Sequence, residues 1–263
     1  LVALDEARET AADLRVQFTQ ATDASNRAVM ADTDEASLAF AHEAEAAAHR
    51  VDNDQAALSA LLHELNYPKE LDALADFNEH LSAYQKVDRE VLALAVENTN
   101  LKAQHLAFGP AHEAADTFRA SLESLLGEVA PKERCRVDGV VKGAALAVRE
   151  IQVLQPPHIA EANDDAMTRL ENEMSSRRTT ARAALRELSA AVKPNSPSLA
   201  AATAALDRFD SVSEQILKLS RRNTNVRSLD LALRAKPPLT AACDTSLRHL
   251  LDALATEGSK ATR

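Results

Sequence analysis

A stretch of eighteen residues recurs in this chain at a fixed separation, VLALAVENTNLKAQHLAF returning as ILKLSRRNTNVRSLDLAL. A shift of 125 positions lays Asn98, Thr99 and Asn100 on Asn223, Thr224 and Asn225. The same shift carries Leu81 to Leu206, Tyr84 to Phe209, Val87 to Val212 and Leu122 to Leu247, apolar onto apolar at helical spacing. Further upstream the match needs a slightly larger offset, MADTDEA near residue 30 resembling IAEANDD near residue 159. A fixed internal period means that one supersecondary unit is built twice. The expectation is two homologous domains, 1–130 and 131–263.

Composition says what that unit is made of. The chain has 5 Gly and no Trp, and Ala, Leu, Glu and Arg dominate, which favours helix over sheet. In the first half, breaks at Ala31-Asp32-Thr33-Asp34, Asn66-Tyr67-Pro68 and Asn98-Thr99-Asn100 offer side chains that cap or compete with helical bonds. They leave four segments of about 30 residues, roughly 45 Å each at the α-helical rise. The second half repeats the plan, with breaks at Pro156-Pro157 through Asp164, at Lys193 to Pro197, and at Asn223-Thr224-Asn225.

The predicted fold is all-α: two tandem antiparallel four-helix bundles, eight helices, side by side as a pseudo-dimer. The two Asn-Thr-Asn runs are expected to be interhelical turns. The alternative is one helix running through Asn98 to Phe108, because Asn is only mildly unfavourable inside a helix. Pro110 and Pro237-Pro238 fall within the fourth segments and predict a kink or short unwinding there. An even number of antiparallel rods would bring Leu1, Pro131 and Arg263 to one end.

Several functions are argued against. A net charge of −10 and 3% aromatic residues disfavour nucleic-acid binding. The halves differ, with 24 acidic and 9 basic residues in 1–129 against 16 and 21 in 130–263, a contrast that favours their mutual packing. Cys135 and Cys243 form no ligand or haem-attachment spacing, and His42/His49 and His105/His112 stand seven apart, too far for one ion. No metal, cofactor or catalytic motif is predicted, and the chain reads as non-enzymatic. Without a long apolar run or signal pattern, it reads as a segment beginning mid-protein.

Gln104 and His105 lie beside Phe108 and the Gly109-Pro110 irregularity, while Arg227, Arg234 and Lys236 occupy the comparable stretch of the second half. Irregular backbone beside basic groups can receive an anion, so Gln104, His105, Arg227 and Arg234 are candidate ligand contacts.

The segments LALAVENTNLKAQHLAFGPAHEAADTF, EIQVLQPPHIAEANDDAMTRLE, LSRRNTNVRSLDLAL and TAACDTSLRHLLDAL resemble the four-helix-bundle sensor domains of methyl-accepting chemotaxis receptors and membrane sensor histidine kinases. The resemblance covers both halves. It implies a periplasmic domain of an inner-membrane receptor whose terminal helices continue into the membrane, with output in chemotaxis or two-component signalling by a small helix displacement. It further implies a small ligand, an organic acid or amino acid, or a periplasmic partner protein, and adds Arg149, Gln155 and His158 as candidate contacts. The single-copy domain usually pairs with a second subunit, so the duplication predicts a monomeric pseudo-dimer or a homodimer. The other reading is a helical spacer or interaction module that binds no ligand.

Overall fold

The computed structural model describes residues 2–261, and among them every regular element is a helix, in agreement with the all-α expectation. Helices α1 (Val2–Met30), α2 (Asp34–Glu64) and α3 (Pro68–Glu97) lead to α4 (Thr99–Leu106), a π-helical turn (Ala107–Ala111) and α5 (His112–Leu125). The series then repeats as α6 (Arg134–Ala160), α7 (Asp164–Ala191), α8 (Pro197–Arg222), α9 (Thr224–Asp230), a second π-turn (Leu231–Ala235) and α10 (Lys236–Ala261).

The helix starts follow from side-chain capping. Thr33 accepts the Ala36 N–H at 3.1 Å, Asn163 the Ala166 N–H at 2.9 Å, and Ser196 the Leu199 N–H at 3.0 Å with Pro197 behind it. The caps Thr33 and Asn163 set the upstream offset at 130 positions. Both π-turns lie where irregularity was expected: Pro110 sits inside the first, and Pro237-Pro238 follow the second. A proline offers no N–H and crowds the preceding turn, and the wider π-turn relieves that crowding. Pro156-Pro157 do not end α6 as expected. The helix runs through them to Ala160, because Gln155, His158 and Ile159 on that stretch are buried and packing outweighs propensity.

The compact units differ from the two sequence halves. Unit 1 joins the residues up to Asn98 with those from Arg227 onward, and unit 2 is Thr99–Val226. The expected boundaries 1–130 and 131–263 are thereby corrected: the fourth segment of each half packs with the first three helices of the other. In unit 1, α10 lies against α3 and α1, and in unit 2, α5 lies against α8 and α6. The cause is local. One residue, Asn98, separates α3 from α4, and one residue, Asn223, separates α8 from α9, both left-handed with φ of 48° and 53°. Reversing a chain between packed helices takes about 2–8 residues, so neither run is an interhelical turn, and neither is an uninterrupted helix. Asn tolerates this conformation better than other non-glycine residues.

The exchange redistributes charge as well. Unit 1 holds 24 acidic and 13 basic residues, unit 2 holds 16 and 17.

Unit 1 is assembled on small residues. Ala7, Ala11, Ala21, Ala24 and Ala28 of α1 and Ala41, Ala44 and Ala47 of α2 are buried, which lets the two backbones approach closely. Phe18 packs edge-on against Phe77 and Tyr84, with ring centroids 6.1 and 5.1 Å away. Cys243, fully buried, joins this core, and burial pushes its thiol up to about 12. Unit 2 is built around Phe118, Phe209, Leu122 and Ile151. Helices α1 and α10 are antiparallel: Arg8 lies over Gly258, Arg15 pairs with Asp244, and Ser25 meets Lys236. Leu1 and Arg263 lie outside the described residues, and Pro131 belongs to unit 2.

The helix exchange is directly testable. His80 Nδ1 and Ser246 Oγ stand 2.9 Å apart across α3 and α10. With Cys135 and Cys243 replaced by Ala, His80→Cys with Ser246→Cys should be bridged within one chain by a short bis-maleimide, seen as a linked peptide by mass spectrometry. Failure to bridge would place α10 elsewhere.

Candidate functional site

Asp88 interrupts an apolar stripe on α3 that comprises Leu81, Tyr84, Val91, Leu92 and Ala95, so a carboxylate is forced into the interior of unit 1. The helices around it supply partners. Lys236 Nζ, on α10 just after the second π-turn, lies 2.7 Å from Asp88 Oδ1 and donates to Ser25 Oγ at 2.7 Å and Asn26 Oδ1 at 3.3 Å. Ser25 donates to Asp88 Oδ1 at 2.6 Å, and the Tyr84 hydroxyl donates to the same oxygen at 3.3 Å. Thr22 donates to the Tyr84 oxygen at 3.2 Å, and the Lys236 ammonium stands 5.5 Å from the Tyr84 ring centroid. Burial, with Asp88 beside it, pushes the Tyr84 phenol far above its ordinary range, so it remains a donor. Lys236 is 2% exposed and Asp88 8%.

Above this cluster lies a cavity of about 280 Å³ bounded by α1, α2 and α3. Phe18, Ala21, Leu81 and Leu92 form apolar walls, and Ala44 and Ala48 leave the α2 side open. Tyr84 and Asp88 reach it from below. Its mouth carries Glu45, Asp52, His49 and Arg89, with Gln85 donating to Asp52 at 3.0 Å.

Unit 2 has the equivalent cavity, at about 130 Å³. Ile151, Met174 and Arg178 stand where unit 1 has Ala21, Ala44 and Ala48, and Phe209 and Ser213 replace Tyr84 and Asp88. The position of Lys236 is taken by Ala111, fully buried in the unit 2 core. The floor is neutral, with Gln155 Nε2 donating to Ser213 Oγ at 3.0 Å.

The candidate contacts read from the sequence are dispersed. Arg227 and Arg234 are exposed in unit 1, Arg234 pairing with Asp230 one turn back. Gln104, His105 and Arg149 are exposed in unit 2. Gln155 and His158 are interior, and His158 is engaged at both nitrogens: Nδ1 lies 2.8 Å from Ser220 Oγ, and Nε2 lies 2.9 Å from Glu171 Oε1. Arg221 also binds Glu171, its Nε donating to Oε1 at 2.6 Å and its Nη2 to Oε2 at 2.9 Å. These bonds, the Arg221 one foremost, hold the Glu171 carboxyl below its ordinary value. Asp88 was legible as a charge in an apolar stripe, whereas the role of the alanines required knowing which helices face them. Among the described residues no group of His, Cys, Asp or Glu could hold a metal ion.

The Asn-Thr-Asn runs meet each other inside unit 2. Thr99 N–H donates to Thr224 Oγ1 and Thr224 N–H to Thr99 Oγ1, each at 3.1 Å. Asn100 N–H and Asn225 N–H donate to each other's side-chain oxygens, again at 3.1 Å. The Asn100 amide also donates to the Ile159 carbonyl at 2.6 Å and to Asn223 Oδ1 at 2.7 Å, and the Asn223 amide donates to the Glu161 carbonyl at 2.8 Å. This is a reciprocal cap of two helix starts, and it absorbs the polar groups that could otherwise have lined a pocket.

Comparison with models of known protein families gives no match, and comparison with curated proteins gives none. Among the described residues, no helix is long and apolar enough to cross a membrane.

Asp88→Asn or Lys236→Met alone strands a buried charge and should cost about 3–5 kcal/mol in urea unfolding, whereas Asp88→Ser with Lys236→Ala, the pattern of unit 2, should cost much less. Glu171, with its folded value below the ordinary 4.5, contributes stability that is complete above that pH and is lost as pH falls through the folded value. Thermal unfolding below pH 4.5 should therefore steepen in the wild type relative to Glu171→Gln; parallel acid limbs would remove the linkage.

Proposed function

We propose that this chain is the ligand-sensing region of a bacterial transmembrane signalling receptor, extracytoplasmic and non-catalytic, of the methyl-accepting chemotaxis or sensor histidine kinase type. Its two units act as four-helix bundles completed by exchanged fourth segments. The observation that carries the reading is in unit 1, where the first and last helices of the chain, α1 and α10, are antiparallel neighbours beside a cavity whose floor is bonded to both. Anything that changes the Asp88 cluster changes the contact between Ser25 of α1 and Lys236 of α10. A shift of about 1–2 Å between such helices is the scale on which packed helices switch. The parent receptor would carry the signal across the membrane through these two helices.

A spacer or protein-interaction role is favoured for unit 2, where larger side chains fill the equivalent cavity. On this reading one bundle senses and the other supports or docks a periplasmic partner.

Thermal-shift screening of organic acids, amino acids and amines should identify a stabiliser, since a ligand at about 100 times its dissociation constant adds about 2.7 kcal/mol. Spin labels on Glu9 and Asp252, exposed positions of α1 and α10, should then report a changed distance when that ligand is bound. A saturated protein with an unmoved distance would end the sensor reading.

A further inference from the structure

The two hydrogen bonds and the ion pair that hold Asp88 all fall on one oxygen of its carboxylate. Ser25, Tyr84 and Lys236 all converge on Oδ1, while Asp88 lines the cavity of unit 1. The Asp88 side chain keeps 11% of its surface exposed on the cavity side, so a donor entering that chamber can bond the carboxylate without displacing Ser25, Tyr84 or Lys236. The chamber is small, near the lower end for ligand pockets, and its walls are hydrocarbon and aromatic ring. Its mouth carries Glu45 and Asp52 against the single cation Arg89, with His49 beside them. Unit 1 as a whole carries 24 acidic residues against 13 basic, so its field draws cations and repels anions.

The equivalent site of unit 2 shows which of these features the fold can do without. There the acid is Ser213, the buried lysine is Ala111, and Ile151, Met174 and Arg178 fill the space. A bundle of this architecture therefore packs with a neutral floor and a smaller void. Unit 1 keeps three alanines, an open chamber and a carboxylate costly to desolvate, which is the combination of a ligand site.

We infer that the unit 1 cavity binds a small primary amine, its ammonium donating to Asp88 Oδ2 and its short apolar body lying between Phe18, Ala44 and Leu92. A carboxylate ligand, the class first expected from the sequence, meets the wrong charge here. The ammonium shares Asp88 with Lys236, so binding draws charge away from the α10 anchor and loosens its hold. This deepens the sensor reading and rests on it for physiological meaning, although the site itself stands on the cavity.

The probe is n-butylamine, with n-butanol and butyrate as controls of matching shape, observed by saturation-transfer NMR on the full chain at neutral pH and constant ionic strength. Butylamine should bind and the controls should not. Ala44→Met, which installs the unit 2 residue in the chamber, should weaken butylamine at least tenfold. So should Asp88→Ser with Lys236→Ala, which removes both buried charges together. Circular dichroism identifies a variant that fails to fold, and the three-ligand comparison on the wild type then decides alone. No transfer to butylamine, equal transfer to butanol or butyrate, or undiminished binding in folded Ala44→Met overturns the inference. Butyrate binding in place of butylamine removes the amine site and leaves the sensor reading intact. Butylamine binding with an unmoved Glu9–Asp252 distance keeps the site and removes the sensor reading.

Discussion

Restarting a helix after a single left-handed residue exposes a fresh set of N–H donors in the protein interior, where each unpaired donor is costly. Thr99, Asn100, Thr224 and Asn225 meet that cost by capping each other, hydroxyl to amide and amide oxygen to amide. Neither run can satisfy itself; each needs the other copy. The duplication is therefore a mutual structural requirement, because one Asn-Thr-Asn alone would leave a buried helix start uncapped. The same one-residue breaks decide that each fourth segment finishes the opposite unit, so the rest of the architecture hangs on them.

With the fourth segments exchanged, Lys236 arrives on α10 from the far end of the chain and meets Asp88 and Ser25 of the first half. A buried ion pair is weak evidence for stability, since desolvating two charges offsets most of their attraction. The neutral Gln155–Ser213 contact in unit 2 shows that the architecture does not require one. Retaining the costlier arrangement beside a cavity larger than its counterpart in unit 2 is what directs attention to ligand recognition. It also ties the cavity floor to the first and last helices, the elements by which a receptor domain would transmit a change.

The two units have diverged in complementary ways. Unit 2 invests its charged side chains in surface and half-buried networks, Arg221 on Glu171 and Arg182 on Asp207 and Asp210, which tie α7 to α8. Desolvation keeps Asp210 above the usual carboxylate range even with Arg182 upon it, a reminder that such pairs fix geometry more than they add stability. Unit 1 relies on close alanine packing of α1 on α2. A bundle held by small side chains leaves voids wherever two alanines face each other, and Ala44 and Ala48 leave the one beside Asp88.

The sequence alone determined the helical class, most helix limits and the internal correspondence, because capping, proline chemistry and apolar periodicity act within a few residues. It also marked the irregular turns near Pro110 and Pro237. It misassigned the partners of the fourth segments, since whether Asn98 begins a reversal or a one-residue break depends on acceptors 125 positions away. It likewise pointed to Arg227, Arg234, Gln104, His105 and Arg149, which remain on the surface, and to His158, whose ring is occupied by Ser220 and Glu171. Only the tertiary structure could bring Lys236 to Asp88 and show Ala44 facing Leu92 across empty space, because a cavity is a property of what distant residues fail to fill.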